Sequence, residues 1–223
     1  IAAAPNTMLT EREAKAVLAA YGVPVVEERL VQSGAAAVEA ALVVGLPVAL
    51  KLESPDVPHK TEAGVVRLNV RDAAELRVAY EEITAAAARV SPPARIAGVL
   101  VAEMARPGLE VVVGARRDPQ FGPLVTVGMG GVLVELLRDV QVALAPVTPA
   151  EARQMIDRLK ARALFDGFRG SKPASIDTLV DIVVRLSELA ADHADRIAEI
   201  DVNPIPLRED GGVAVDALLV VDA

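Results

Sequence analysis

What most constrains this chain is a change of rhythm partway along it. Ahead of the stretch Arg89–Arg95, capped helical segments alternate with strand-like runs. Behind it, from Ile96 to Val147, short β-branched runs follow one another between turn residues. In the first part, Thr10 with Glu13 makes a capping box before Ala14–Tyr21, with Gly22 as the stop. Val23–Val31 then reads as a strand, Ser33 caps a helix ending at Gly45, and Pro47–Glu53 and Val65–Val70 read as strands around a polar loop, Ser54–Gly64. Asp72 with Glu75 caps a helix to about Val90. In the second part the runs are Val99–Met104, Glu110–Arg116, Leu124–Val127 and Val132–Leu137. Thr148-Pro149-x-Glu151 opens a helix, another covers Ile176–His193, and two strands close the chain, Ile197–Leu207 and Val213–Val221. This order predicts an α+β fold and not regular β-α-β winding. Ser91-Pro92-Pro93 marks the expected boundary between two lobes. The organisation predicted is a helical lead-in, 1–24, packed on the larger lobe, a small lobe, 25–95, and a larger sheet-rich lobe, 96–223.

Composition removes several classes of function. Of 223 residues 52% are apolar but only 2% aromatic, so the core must be Ala, Val, Leu and Ile, and a platform of stacked rings for single-stranded nucleic acid is excluded. A net charge of −8 argues against a nucleic-acid backbone as partner. With no cysteine there are no disulfides or thiolate metal sites, and two histidines do not make a His-rich zinc site. No apolar run is long enough to cross a bilayer, and Ile1–Pro5 lacks the basic start of a signal peptide, so a cytoplasmic protein is expected. A first residue of Ile in place of Met points to a processed or excised chain.

Five places invite a chemical reading. In Ile197-Ala-Glu-Ile-Asp-Val-Asn203, the side chains of Glu199, Asp201 and Asn203 share one strand face, opposite Ile200 and Val202. If the turn is Arg208–Gly211, Asn203 pairs across the hairpin with Asp216. The result is either a solvated polar face or an oxygen-only ligand set suited to Mg²⁺. Lys51, among Val48, Leu50 and Leu52, is either an edge residue reaching water or a phosphate ligand. His59, next to Lys60 in a loop with turn residues at both ends, is either an ordinary surface histidine or a nucleophile toward a phosphoryl group. Glu103 and Glu110 lie at the entry to the sheet-rich part and within it, and Glu110 is either an edge charge or an acceptor for ribose hydroxyls. Gly128-x-Gly130-Gly131 lets a backbone approach a ligand closely. His193, at a helix end among Asp192 and Asp195, is given no role.

Together these segments resemble a known family. Thr10-x-x-Glu-Ala-Lys, Tyr21-Gly-Val-Pro, Pro47-Val-Ala-Leu-Lys51, Ser54-Pro-Asp-x-x-His59-Lys, Glu103-Met, Leu109-Glu-Val-Val-Val-Gly, Arg117-Asp-Pro-Gln-Phe-Gly, Gly128-Met-Gly-Gly, Arg138-Asp-Val, Phe168-Arg-Gly and Glu199-Ile-Asp-Val-Asn-Pro occur in order. The chain is similar, from about Leu9 to Asp216, to the β part of nucleoside-diphosphate-forming acyl-CoA synthetases. The resemblance implies an ATP-grasp fold with ATP or ADP held between two lobes and Mg²⁺ on the closing hairpin. It also implies an acid–thiol ligase, incomplete without a CoA-binding α subunit or fused domains. By the same resemblance His59 carries the phosphoryl group, Lys51 contacts phosphates, Glu103 lies at the adenine hinge and Glu110 takes the ribose. Asn203 and Asp216 ligate Mg²⁺, with Asp201 beside them.

Three positions depart from the family pattern: Val65 stands in place of a second glycine, Ala143 in place of a frequent arginine, and Ser171 within an Arg-Gly-Arg-Pro stretch. They raise a rival reading, a non-catalytic regulatory ATP-grasp domain fused to or associated with another enzyme such as a protein acetyltransferase. A carboxylate–amine ligase ranks behind both, because the His59 loop has no evident purpose there.

Overall fold

Two apolar patterns build two separate cores in the computed structural model, which describes residues 8–57, 60, 63–89, 94–131 and 139–222. The expected strand Val132–Leu137, the helix end at Val90 and the Ser91-Pro92-Pro93 break lie outside the described residues.

The smaller unit, Val26–Ala105, contains β1 (Glu28–Val31), α2 (Gly34–Val44), β2 (Val48–Glu53), β3 (Val66–Val70), α3 (Ala73–Ala87) and β4 (Gly98–Glu103). Its four strands run antiparallel in the order β1-β4-β2-β3. Alternation sends Val48, Leu50 and Leu52 of β2 and Val99 and Val101 of β4 to one face, where Ala37 and Ala41 of α2 and Leu76 and Ile83 of α3 cover them. Ser33 caps α2 through the Ala36 N–H, and the Asp72 carboxylate caps α3 through Ala74 and Glu75.

The larger unit joins the described residues of Ile1–Val25 to those of Arg106–Ala223. It contains α1 (Glu11–Ala20), β5 (Leu109–Asp118), β6 (Gly122–Met129), β7 (Val140–Leu144), α4 (Pro149–Asp157), α5 (Ile176–Asp192), β8 (Ile197–Arg208), β9 (Gly211–Gly212) and β10 (Ala217–Val221). The strands form an antiparallel sheet in the order β10-β8-β5-β6-β7, with β9 pairing to β8. Val111, Val113, Val125, Val127, Ile200 and Val202 point to one face, against Leu179, Ile182, Val183 and Leu186 of α5. The capping boxes expected at Thr10–Glu13 and Thr148–Glu151 are both closed. Strand pairing within both sheets is antiparallel, as the α+β reading expects.

Two expectations are corrected. The stretch Arg89–Arg95 does not separate the units: β4 pairs with β1 and β2, Val99 and Val101 fill the smaller core, and the chain changes unit at Ala105–Arg106. The expected strand Val23–Val31 is realised only as β1, because Val23 is buried in the larger core and Val25 bridges to Ala214 there. Among the described residues no helix is long and apolar enough to cross a membrane.

Candidate functional site

The closing hairpin of the larger unit brings the acidic candidates together. Val202 pairs with Ala217, Leu207 with Gly212 and Arg208 with Gly211, a register that sets Asn203 opposite Asp216. The Asn203 N–H donates to the Asp216 carbonyl at 3.3 Å, and the Val215 N–H donates to the Pro204 carbonyl at 3.1 Å. This is the pairing that a turn over Arg208–Gly211 requires. Ile200 and Val202 are buried on the helix-covered face, so Glu199, Asp201 and Asn203 stand on the other face. Asp201 is half-buried, and burial first, then the charges of Glu199 and Asp216, push its carboxyl above the ordinary value of 3.8. Opposite Asp201 on β5 is Gly114; a Cβ there would lie 3.0 Å from Thr126 Oγ1 and 3.1 Å from the Ile200 carbonyl oxygen. Glycine keeps that strand crossing close and leaves the space beside Asp201 open.

Glu110 lies farther along β5, between β8 and β6, so it is not on an edge strand. Its carbonyl accepts the Gly130 N–H at 2.7 Å, and its exposed side chain rests on the glycine run. A Cβ at Gly131, where φ is +62°, would come within 2.8 Å of Glu110 Oε2. The positive φ there is a conformation that glycine adopts without strain.

In the smaller unit, Lys51 is on the second strand from one side of the sheet, flanked by Leu100 of β4 and Val66 of β3. It is 6% exposed, on the face opposite Leu50 and Leu52. The edge-strand reading of Lys51 is therefore excluded. Two residues along the same face, Glu53 is paired with Lys60, Nζ to Oε2 3.8 Å. Glu103 ends β4, exposed, with its N–H donating to the Glu27 carbonyl at 2.8 Å. His59 lies outside the described residues. The entry to its loop is clamped: Arg95 holds Asp56 through Nη2 at 2.7 Å, Nε at 3.0 Å and its backbone N–H at 2.7 Å. The Ser54 hydroxyl accepts the Asp56 N–H at 3.1 Å, and the Val65 N–H closes the far side on the Lys60 carbonyl at 3.1 Å.

A model of the ATP-grasp domain family matches residues 1–221. The chain belongs to the ATP-grasp family. It is 43% identical over 218 residues to the β subunit of the ADP-forming acetate–CoA ligase II of Pyrococcus furiosus, covering 97% of this chain and 92% of that subunit. A solved acetyl-coenzyme A synthetase 1 of Candidatus Korarchaeum cryptofilum, in complex with coenzyme A and Ca-AMPCP, superposes with a TM-score of 0.94 at 42% identity, over 98% of this chain and 95% of that one. A second structure of that enzyme holds coenzyme A and Mg-AMPPCP, with its phosphohistidine segment pointing towards the nucleotide-binding site. It matches at TM-score 0.86 and 39% identity, over 97% and 93% of the two chains.

Within this ATP-grasp chain the three departures are accommodated locally. Val65 is fully buried in the smaller core. Ala143 pairs with Val125 and packs on the helix-covered face, so alanine there removes no cation from the face of Asp201 and Asn203. The Ser171 hydroxyl closes a turn, accepting the Phe168 N–H at 2.8 Å and donating to the Phe168 carbonyl at 2.9 Å. Ser171 and Lys172 line a cavity of about 720 Å³ in the larger unit with Arg106, Leu109, Phe168 and Arg208. Sequence reasoning missed Gly114, Arg95 and Glu53. Gly114 carries a signal, as a glycine inside the β-branched run of β5; Arg95 carries none, because its partner is far away in sequence. His193 ends α5 with its ring edge-on to Tyr21, centroids 6.1 Å apart, which needs no function.

Proposed function

We propose that this chain is the nucleotide-binding β part of an ADP-forming acyl-CoA synthetase, working with a CoA-binding partner subunit or fused domain. The observation that carries the reading is the hairpin, where Asp201, Asn203 and Asp216 come together in a chain 43% identical to such a β subunit. The donors are all oxygens. Among the described residues no three His, Cys, Asp or Glu side chains form a metal-holding group by themselves. Two carboxylates and an amide suit Mg²⁺, a cation that keeps waters and takes other ligands from nucleotide phosphates. The raised pKa of Asp201 fits the same assignment, since crowded, half-buried carboxylates gain most from a divalent cation. Asn203 and Asp216 hold the cation, with Asp201 beside them. When bound, Mg²⁺ reduces the negative charge on a phosphoryl group in transfer.

Lys51 supplies a fixed positive charge to the phosphates, its burial strengthening that interaction. Glu103 lies at the adenine hinge, and Glu110, seated on Gly130–Gly131, accepts from the ribose hydroxyls. His59 Nδ1 or Nε2 attacks a phosphoryl phosphorus, and the phosphoryl–histidine bond forms as the bond to the departing oxygen breaks. The nucleotide's diphosphate oxygen then takes the group from histidine to give triphosphate.

The test uses the chain assembled with its CoA-binding partner. Incubation with γ-labelled ATP is expected to place acid-labile, base-stable label on this chain. His59→Ala abolishes the label and acyl-CoA synthesis while Mg-dependent ADP binding stays within about twofold of wild type, since a loop residue off the nucleotide contacts contributes little to affinity. Full label and activity in His59→Ala would overturn the proposal.

A further inference from the structure

α1 carries an ion pair that a helix-surface reading does not anticipate. Lys15 Nζ lies 2.8 Å from Glu11 Oε1, one turn away, and each side chain is only 2% exposed. Pairs at this spacing normally sit in water, where they contribute little. Burying both ions carries a desolvation cost, and apolar residues of similar volume do as well or better for stability. The position of the pair supplies a different reason for it. Lys15 Nζ also donates to the Val215 carbonyl at 3.4 Å, and Val215 directly precedes Asp216.

The segment it reaches is the irregular part of the hairpin. β9 ends at Gly212 and β10 begins at Ala217, so Val213–Asp216 lies between two regular pairings. α1 and its flanks are tied to this strand on both sides of Val215. The Leu9 N–H donates to the Leu219 carbonyl at 3.0 Å, and the Ala214 N–H donates to the Pro24 carbonyl at 2.8 Å. Single bridges join Met8 to Val220 and Val25 to Ala214. The helix is thus strapped along the strand, with the Lys15 ammonium at the point where the ladder is interrupted.

We infer that Lys15, held in place by Glu11, is a positioning residue for the cation site: it fixes the Val215 carbonyl and thereby the backbone that presents Asp216 opposite Asn203. The inference rests on the assignment of the hairpin as the cation site. Neither residue touches the cation; both act through the backbone of the strand.

The test is Mn²⁺ binding to the full chain with saturating ADP, followed by the electron paramagnetic resonance signal of free Mn²⁺, alongside thermal unfolding. Glu11→Leu/Lys15→Met replaces the buried pair with apolar volume, so the melting temperature is expected to hold or rise. Mn²⁺ affinity is expected to fall about tenfold, the scale found for outer partners of metal ligands. A melting temperature that holds with Mn²⁺ affinity unchanged would show that the pair is structural and overturn the inference. Glu11→Gln, which keeps the shape and Lys15, covers the case in which the double variant does not fold. Its Mn²⁺ affinity is expected to fall about threefold, and no change there overturns the inference equally. Asp216→Ala separates the two levels of the argument. If it binds Mn²⁺ as wild type does, the hairpin is not the cation site and the inference falls with it. If it loses Mn²⁺ while both α1 variants keep it, only the positioning role is lost.

Discussion

Asp56 and Asp201 are both aspartates beside residues assigned to phosphoryl transfer, yet their surroundings move their acidities in opposite directions. Asp56, at the entry to the His59 loop, is bonded by the Arg95 guanidinium and the Arg95 backbone N–H, which hold its carboxyl down to about 2. Asp201, on β8, is half-buried near Glu199 and Asp216, and its carboxyl is pushed up. The first has its cation within the chain and shapes a loop. The second sits among like charges, and its surroundings improve when a cation arrives from outside. On the proposed assignment, electrostatic contrast, more than acidity as such, separates a carboxylate that builds from one that binds.

The largest effect that tests this contrast comes from removing the proposed hairpin ligands. Asn203→Ala/Asp216→Ala is expected to weaken Mg-dependent ADP binding on the order of a hundredfold, about 2.7 kcal/mol, in calorimetric titrations with and without Mg²⁺. Binding of ADP without metal should change little. Equal losses in both titrations would mean that the hairpin contacts nucleotide and not cation.

A smaller and more diagnostic effect is expected from Asp201→Asn. A carboxyl with a raised folded-state pKa holds its proton more tightly folded than unfolded, so its contribution to stability declines as pH climbs from the ordinary value of 3.8 through the raised one. Asparagine removes that decline. The variant should melt about 2 °C higher than wild type at pH 7, with the gain gone below the ordinary carboxylate range. It should also bind Mg-ADP roughly tenfold more weakly at pH 7. In wild type, Mg-ADP affinity should fall as pH drops through the raised value. A lower melting temperature at pH 7 would show that Asp201 is stabilising and break the contrast with Asp56.

What the sequence shows of this arrangement follows from how local each determinant is. Asn203 facing Asp216 is legible because the turn length alone sets hairpin register. The capping boxes are legible for the same reason. Lys51 reads two ways because strand order is not written in a strand, and only β3 and β4 on either side of β2 remove the edge reading. The lobe of β4 is not legible, since a Pro-rich break signals a loop without saying whether the chain returns to the same sheet. Lys15 resembles an ordinary solvated pair partner of Glu11, and its burial depends on a strand that lies at the other end of the chain.

The smallest effect is expected at Asp56, and it bears on the other half of the contrast. Asp56→Asn keeps the size of the side chain but removes the charge that Arg95 grips through three bonds. The group is exposed, so the melting temperature at pH 7 should move by less than about 2 °C. The sign follows from the lowered pKa: the wild-type contribution is complete above the ordinary carboxylate range and is lost as pH falls toward about 2, so variant and wild type should converge in strong acid. The functional effect should be confined to the loop. Labelling of His59 is expected to slow by about threefold, because a less firmly held loop entry costs orientation in the transfer step. Mg-dependent ADP binding should be unchanged. If Asp56→Asn weakened Mg-ADP binding as strongly as Asp216→Ala, Asp56 would be part of the cation site despite its arginine, and opposite acidities would no longer sort the two carboxylates by task.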